Sequence, residues 1–257
     1  MEITEKTTPV FLKSVLNFRD IGGVPTVNGK HVREKVIFRS ASPDKISKED
    51  IRKLHELNIR TIIDLRAPDE TGRKPKKIDG IESISLPLDY ERTTRERLIP
   101  LIKQKNSQNQ IDDLINSLYI EILDGSVSVF REITDLLLEP SRSPMLIHCQ
   151  AGKDRTGIIV ALIMMALNTD HKSIVNDYLA SNEALLPSFK KRLRIRKALS
   201  LGFFPADKVL YAITVRSNDI LAVIERVTNH YGSIEGYLNA SGTNTPDLSD
   251  LKNRFVI

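Results

Sequence analysis

The 257-residue chain has one cysteine, no tryptophan and only 5% aromatic residues. A single cysteine excludes an internal disulfide, and it fits a reducing compartment, the cytoplasm, where a free thiol persists. No run of about 18 uninterrupted apolar residues occurs, so no transmembrane helix is expected. Met1 to Thr8 is polar and charged, without the apolar centre of a signal peptide. No second cysteine and no histidine stands at metal-ligand spacing from the first, so no metal site is expected. Excess charge of one sign is also scarce. The net charge of +5 suits anionic substrates but is too slight and too dispersed for a nucleic-acid partner. What is there is ordinary for a soluble globular protein: 40% hydrophobic and 28% charged residues, with length enough for one large domain or two.

The chemistry concentrates in ten residues, His148 to Gly157, reading His-Cys-Gln-Ala-Gly-Lys-Asp-Arg-Thr-Gly. The apolar Met145-Leu146-Ile147 precedes them and the longer apolar Ile158 to Leu167 follows, which predicts strand, tight loop and helix. A loop that ends on a helix N-terminus turns its backbone N–H groups toward an oxyanion, with the positive end of the helix dipole behind them. The loop residues Gln150, Ala151, Gly152 and Lys153 would line that cradle. Cys149 sits at its entrance, where the same field favours thiolate over thiol and makes a nucleophile. Arg155 offers a planar two-donor fork to two phosphoryl oxygens. Thr156 offers a hydroxyl to the cysteine sulfur, and Lys153 adds positive charge. Gly152-Lys153 is not a nucleotide-binding loop, because no glycine stands five positions earlier and Asp154 follows the lysine where Ser or Thr would be needed. His148 reads as a residue that orders the loop, and the buried pair Asp64 and Arg66 as its support.

The Cys-x5-Arg loop resembles that of the protein tyrosine phosphatase superfamily. The fuller Ala-Gly-Lys-Asp-Arg-Thr-Gly string is similar to the atypical bacterial and fungal branch, some of whose members also dephosphorylate phosphoinositides. Further stretches carry the same likeness: Asn17 to Gly23, Phe38-Arg39-Ser40, Ile63 to Arg66, and Asp177 to Asn182. The resemblance spans roughly residues 15 to 240. It implies hydrolysis of a phosphomonoester, first of all phosphotyrosine in protein, through a phosphocysteine and without a cofactor. Phosphoinositide or inositol phosphate is the alternative substrate, and a phosphate-binding pseudophosphatase the alternative of another class. The resemblance leaves two candidates for the general acid. Asp89 follows the third strand, where dual-specificity phosphatases carry their acid. Asp154 lies within the loop itself. It also suggests that Arg19 and Asp20 brace the loop.

The order of elements predicts an α/β fold, with a mostly parallel central sheet, helices on both faces and a helical insertion. Asn28-Gly29 signals a hairpin turn. Val36 to Phe38, Ile59 to Leu65 and Ile81 to Leu88 read as strands. Ser47 and Asp170 read as helix N-caps. Glu91 to Leu138 separates the third strand from the cysteine strand, with helices predicted over Ile111–Leu123 and Ser126–Leu138. Its front half reads either as a lid near the site or as part of a solvated helical hairpin. Ile158 to Leu167 is apolar on all sides, as a buried helix would be. Residues 183 to 257 read as all-helical, including Ser217–Tyr231, Ser233–Asn239 and Pro246–Phe255, packed into one phosphatase-type domain over 1–257. Lys190 to Lys197 has six basic residues in eight. It reads as a solvated helix face or as a peripheral contact for a membrane surface. Nothing in the sequence indicates an oligomeric state.

Overall fold

The computed structural model describes residues 11–68, 70, 77–240 and 248–257. Residues 1–10 lie outside that description, as do the first two residues of the helix predicted from Pro246.

Five strands form one sheet: β1 (Arg19–Asp20), β2 (Ile37–Ser40), β3 (Thr61–Asp64), β4 (Glu82–Ser85) and β5 (Met145–His148). Their order is β1-β2-β5-β3-β4. β1 runs antiparallel to β2, and every other pairing is parallel. β5 lies between β2 and β3, so His148 is level with Ser40 on one side and Asp64 on the other. The three strands therefore end together, and Cys149 leaves the sheet from the middle of that carboxyl edge, where open α/β sheets hold their ligands. Hydrogen bonds between Val24 and Val32 and between Thr26 and Lys30 close the predicted hairpin around Asn28-Gly29.

Alternation along the strands divides the interior. Phe38, Ile62 and Leu146 face α1 (Lys48–Glu56) and the incoming Leu12, Val15 and Phe18. Ile37, Ile63, Met145 and Ile147 face the larger cluster on the other side. That cluster takes in α3 (Gln108–Asp124), α4 (Val127–Leu138), α5 (Asp154–Ala166), α8 (Ser217–His230), α9 (Ile234–Asn239) and α10 (Leu248–Phe255). Helices thus cover both faces. α5 runs through the larger layer and buries eleven of its thirteen residues, which is why its sequence shows no polar stripe. Burial of each large apolar side chain there contributes on the order of 1.5–3 kcal/mol.

The predicted caps form: Ser47 accepts from the Asp50 N–H and Asp170 from the Ser173 N–H. α6 (His171–Leu199) continues through Pro187 for 29 residues. Two helices were not evident from sequence: α2 (Glu91–Lys103), polar and interrupted by Pro100, and the eight-residue α7 (Ala206–Ile213).

Candidate active site

The loop between β5 and α5 is held from outside by its carbonyls. The Gln150 carbonyl accepts from the Ser42 N–H at 3.2 Å. The Ala151 carbonyl accepts from Asn17 Nδ2 at 3.2 Å. The Gly152 carbonyl accepts from Asn17 Nδ2 and from Arg39, each at 2.7 Å. In a trans peptide the N–H of the next residue points opposite to the carbonyl. With three successive carbonyls turned out to the scaffold, the amides of Ala151, Gly152 and Lys153 turn inward. Gly152 makes the turn possible: its φ is +64°, and a Cβ there would lie 2.0 Å from the Ser40 carbonyl oxygen.

The donors that hold the loop are themselves held. Arg39 is fully buried in β2 and pairs with Asp177 of α6. Asp177 also receives Arg19 Nε at 2.7 Å, and Arg19 in turn bonds the Asn17 side chain. Burial opposes the charge on Asp177, but Arg39 and Arg19 outweigh it and hold the carboxyl below its usual range. Burial, with Arg39 close by, lowers Arg19 to about 10, so it stays charged at neutral pH. Asp20 stands apart from this cluster and accepts from the Gly22 and Lys35 amides. On the other flank Arg66 bonds Asp64 at 2.7 Å, Asp44 at 2.6 Å and Ser42 Oγ at 3.0 Å, and so reaches the residue that holds Gln150. His148 is buried, and burial lowers its pKa, so the ring is neutral at pH 7. Its Nδ1 lies 3.2 Å from the Cys149 carbonyl, which can only accept, so Nδ1 carries the proton.

A cavity of about 300 Å³ opens against the loop. Cys149, Gln150, Ala151, Lys153, Asp154 and Arg155 form its floor. Leu98 and Ile99 of α2, Ile115 and Leu118 of α3, Phe189 of α6 and Ile213 of α7 give it apolar walls. Asp154 opens α5 at the cavity, bonded to the Tyr119 hydroxyl and 3.1 Å from Lys153 Nζ. Burial works against its charge, but Lys153 and the Tyr119 hydrogen bond outweigh that and hold it below the usual carboxylate range. Tyr119 also bonds Tyr178, whose ring packs where a side chain at Gly157 would stand. Asp89 is exposed in the β4–α2 turn, and only its neighbour Tyr90 reaches the cavity.

One sequence-based assignment needs correction, and another acquires a partner. The Arg155 fork is met by a carboxylate. Its two terminal nitrogens meet the two oxygens of Glu70, a planar carboxylate that matches the fork. The Thr156 hydroxyl does not bond the cysteine sulfur. The residue is fully buried in the first turn of α5, and its Oγ1 has no partner among the described residues. The structure also brings in residues to which no local pattern assigns a role. Glu70 and Tyr119 carry no local signal. Asn17, Arg39 and Asp177 lie in stretches noted for resemblance, and an arginine inside a buried strand is the one internal hint. Asp219, which lines the cavity and has its carboxyl raised by burial, went unnoticed as an α8 capping residue.

A thiol at the carboxyl edge of a parallel sheet, inward-turned amides and a helix N-terminus together define an α/β protein built to hold a tetrahedral oxyanion against sulfur. The family model for the tyrosine phosphatase family matches residues 10–257, and the chain belongs to that family. It is 26% identical over 276 residues to the triple specificity protein phosphatase PtpB of Mycobacterium tuberculosis, covering 94% of this chain and 96% of that one. It is 25% identical over 233 residues to a tyrosine-protein phosphatase of Nostoc commune, covering 90% and 78%. An inositol diphosphatase of Arabidopsis thaliana is 26% identical over 171 residues, covering 60% and 62%.

Proposed function

We propose that the chain is a protein-tyrosine phosphatase working through a phosphocysteine on Cys149. The observation that carries this reading is the apolar wall of the cavity above the loop. Leu98, Ile115, Phe189 and Ile213 offer a flat aryl ring apolar contact, whereas a polyphosphorylated inositol would need more cations than the lining residues Lys153, Arg155 and Arg95 supply. The likeness to an inositol diphosphatase therefore marks the second reading, not the first.

Cys149 Sγ attacks phosphorus as the P–O bond to the leaving group breaks, and the loop amides and Arg155 hold the equatorial oxygens. Asp154, the loop carboxyl at the cavity, gives its proton to the departing oxygen; the bound phosphate dianion offsets the Lys153 charge that otherwise keeps this carboxyl ionised. A water then attacks the phosphocysteine while Asp154 takes its proton back. Inorganic phosphate leaves and the thiolate is restored. α2 is the element we assign as lid, because Thr94, Leu98 and Ile99 stand over this floor. We assign the chemistry to one domain, because strands and C-terminal helices share a continuous core. A thiolate enzyme of this kind belongs in a reducing compartment, the cytoplasm.

The test is steady-state hydrolysis of a phosphotyrosine peptide and of soluble inositol phosphates, with EDTA present. Preference for the peptide by more than about tenfold in kcat/KM, roughly 1.4 kcal/mol, supports the proposal. The reverse preference moves the chain to the inositol reading. Phosphate binding without turnover by the intact protein would make it a pseudophosphatase. Cys149→Ser should abolish turnover and keep phosphate binding.

A further inference from the structure

The last turns of α6 carry Lys190, Lys191, Arg192, Arg194, Arg196 and Lys197, and no acidic residue occurs from Ala184 to Ala206. This one stretch holds more positive charge than the whole chain has in excess, and the remainder has one more acidic residue than basic. All six of these side chains are exposed. Among the described residues only Lys197 forms an ion pair, with Asp207 at 3.0 Å. The turn that follows ends in an apolar tip. Leu199 is 81% exposed, Leu201 88% and Phe203 89%, the three most exposed large apolar residues among those described, and Ile195 stands one helical turn before Leu199. The turn is shaped by hydrogen bonds from the Leu201, Gly202 and Phe203 amides back to Ala198, Lys197 and Ser200. The tip is therefore a formed knob with a basic collar.

We propose that this α6–α7 tip docks the protein on an anionic bilayer surface, with Leu199, Leu201 and Phe203 entering the headgroup–acyl boundary and the collar meeting acidic headgroups. Charge complementarity selects the occupant. A collar of exposed lysines and arginines, five of the six without an ion pair among the described residues, seeks a dense anionic surface, and an apolar knob needs a medium that yields to its shape. A folded protein partner would instead have to offer a pocket for three projecting side chains. α6 and α7 also supply Phe189 and Ile213 to the cavity wall, and Phe189 lies about 15 Å along the helix from Leu199. A docked tip therefore keeps the cavity close to the lipid surface. The docking does not depend on which phosphomonoester is hydrolysed.

The absence of tryptophan gives a clean reporter. In Phe203→Trp the sole indole sits on the knob. Its emission should shift to the blue on adding phosphatidylcholine vesicles containing about 30% phosphatidylserine, and stay unmoved with phosphatidylcholine alone. Co-sedimentation with the same vesicles should fall by about tenfold or more in Lys190→Gln/Lys191→Gln/Arg192→Gln/Arg194→Gln, and likewise in Leu199→Ser/Leu201→Ser. Both variants should hydrolyse p-nitrophenyl phosphate at the parent rate, which shows that they fold. An unshifted indole with anionic vesicles overturns the proposal. So does vesicle binding that both variants retain, or capture by polyglutamate in place of the vesicles.

Discussion

The Arg155 guanidinium and the Glu70 carboxylate meet end to end, both buried, with the Leu65 and Leu88 carbonyls also within reach of the same arginine. Glu70 thus fixes the direction in which Arg155 can point. Glu70→Ala should lower kcat/KM by about 10–100-fold through misplacement of the arginine, with Glu70→Gln retaining more of the rate. Equal rates for the Ala, Gln and parent proteins would show that Arg155 needs no such guide. Burial raises the Glu70 carboxyl, but Arg155 and the Ala67 amide outweigh it and hold it below the usual range. The pair therefore stabilises the fold fully above the ordinary glutamate value, and that contribution is lost as pH falls from there through the depressed folded value. Thermal melts of Glu70→Gln and parent should converge as pH is lowered through that window.

Three carboxyls can be compared as proton donors on a phosphotyrosine peptide. Asp154→Asn should reduce kcat by about 10²–10⁴-fold, and Asp89→Asn should leave it close to the parent value. A loss in Asp219→Asn as large as that in Asp154→Asn would transfer the role to Asp219. Tyr119→Phe removes a hydrogen bond that favours the ionised Asp154, so the pH limb governed by Asp154 should move to higher pH. An unmoved limb would detach Tyr119 from that carboxyl.

Gly152→Ala combines a left-handed backbone with a Cβ driven into the Ser40 carbonyl. It should cost at least about 1–3 kcal/mol of stability and remove oxyanion binding, because the loop can keep its turn only by moving off β2. Vanadate titration together with denaturant melts reads both effects. Unchanged vanadate affinity would mean that the loop tolerates a different path.

Asp177→Asn leaves Arg19 and Arg39 side by side without their carboxylate. The fold should lose about 3–5 kcal/mol, and Arg39 should release the Gly152 carbonyl. A loss under about 1 kcal/mol in urea melts would assign the charge balance to other groups.

The elements that sequence made legible are those with local causes. Ser47 and Asp170 announce their helices by capping chemistry. The mostly parallel sheet follows from the order of short apolar runs and helical stretches. The β5–α5 loop lies within ten consecutive residues and can be read as a unit. What supports it comes from elsewhere in the chain. Asn17 holds Ala151 from 134 positions away, Glu70 meets Arg155 from 85, and Tyr119 reaches Asp154 from 35. No local pattern encodes such meetings. α2 was hidden for another reason: its apolar residues cluster in the second half, around Pro100, so the helical period is weak.

A lone thiol also has no rescuer. When Cys149 is oxidised to the sulfenic acid, no second cysteine in these 257 residues can capture it as a disulfide. Return to the thiol then falls to small-molecule thiols, and a neighbouring backbone nitrogen can only hold the sulfur as a sulfenamide until such a thiol reduces it. The loop that follows Cys149 carries such nitrogens in the Ala151, Gly152 and Lys153 amides. The braced loop that serves the anion thus also sets how the protein withstands peroxide.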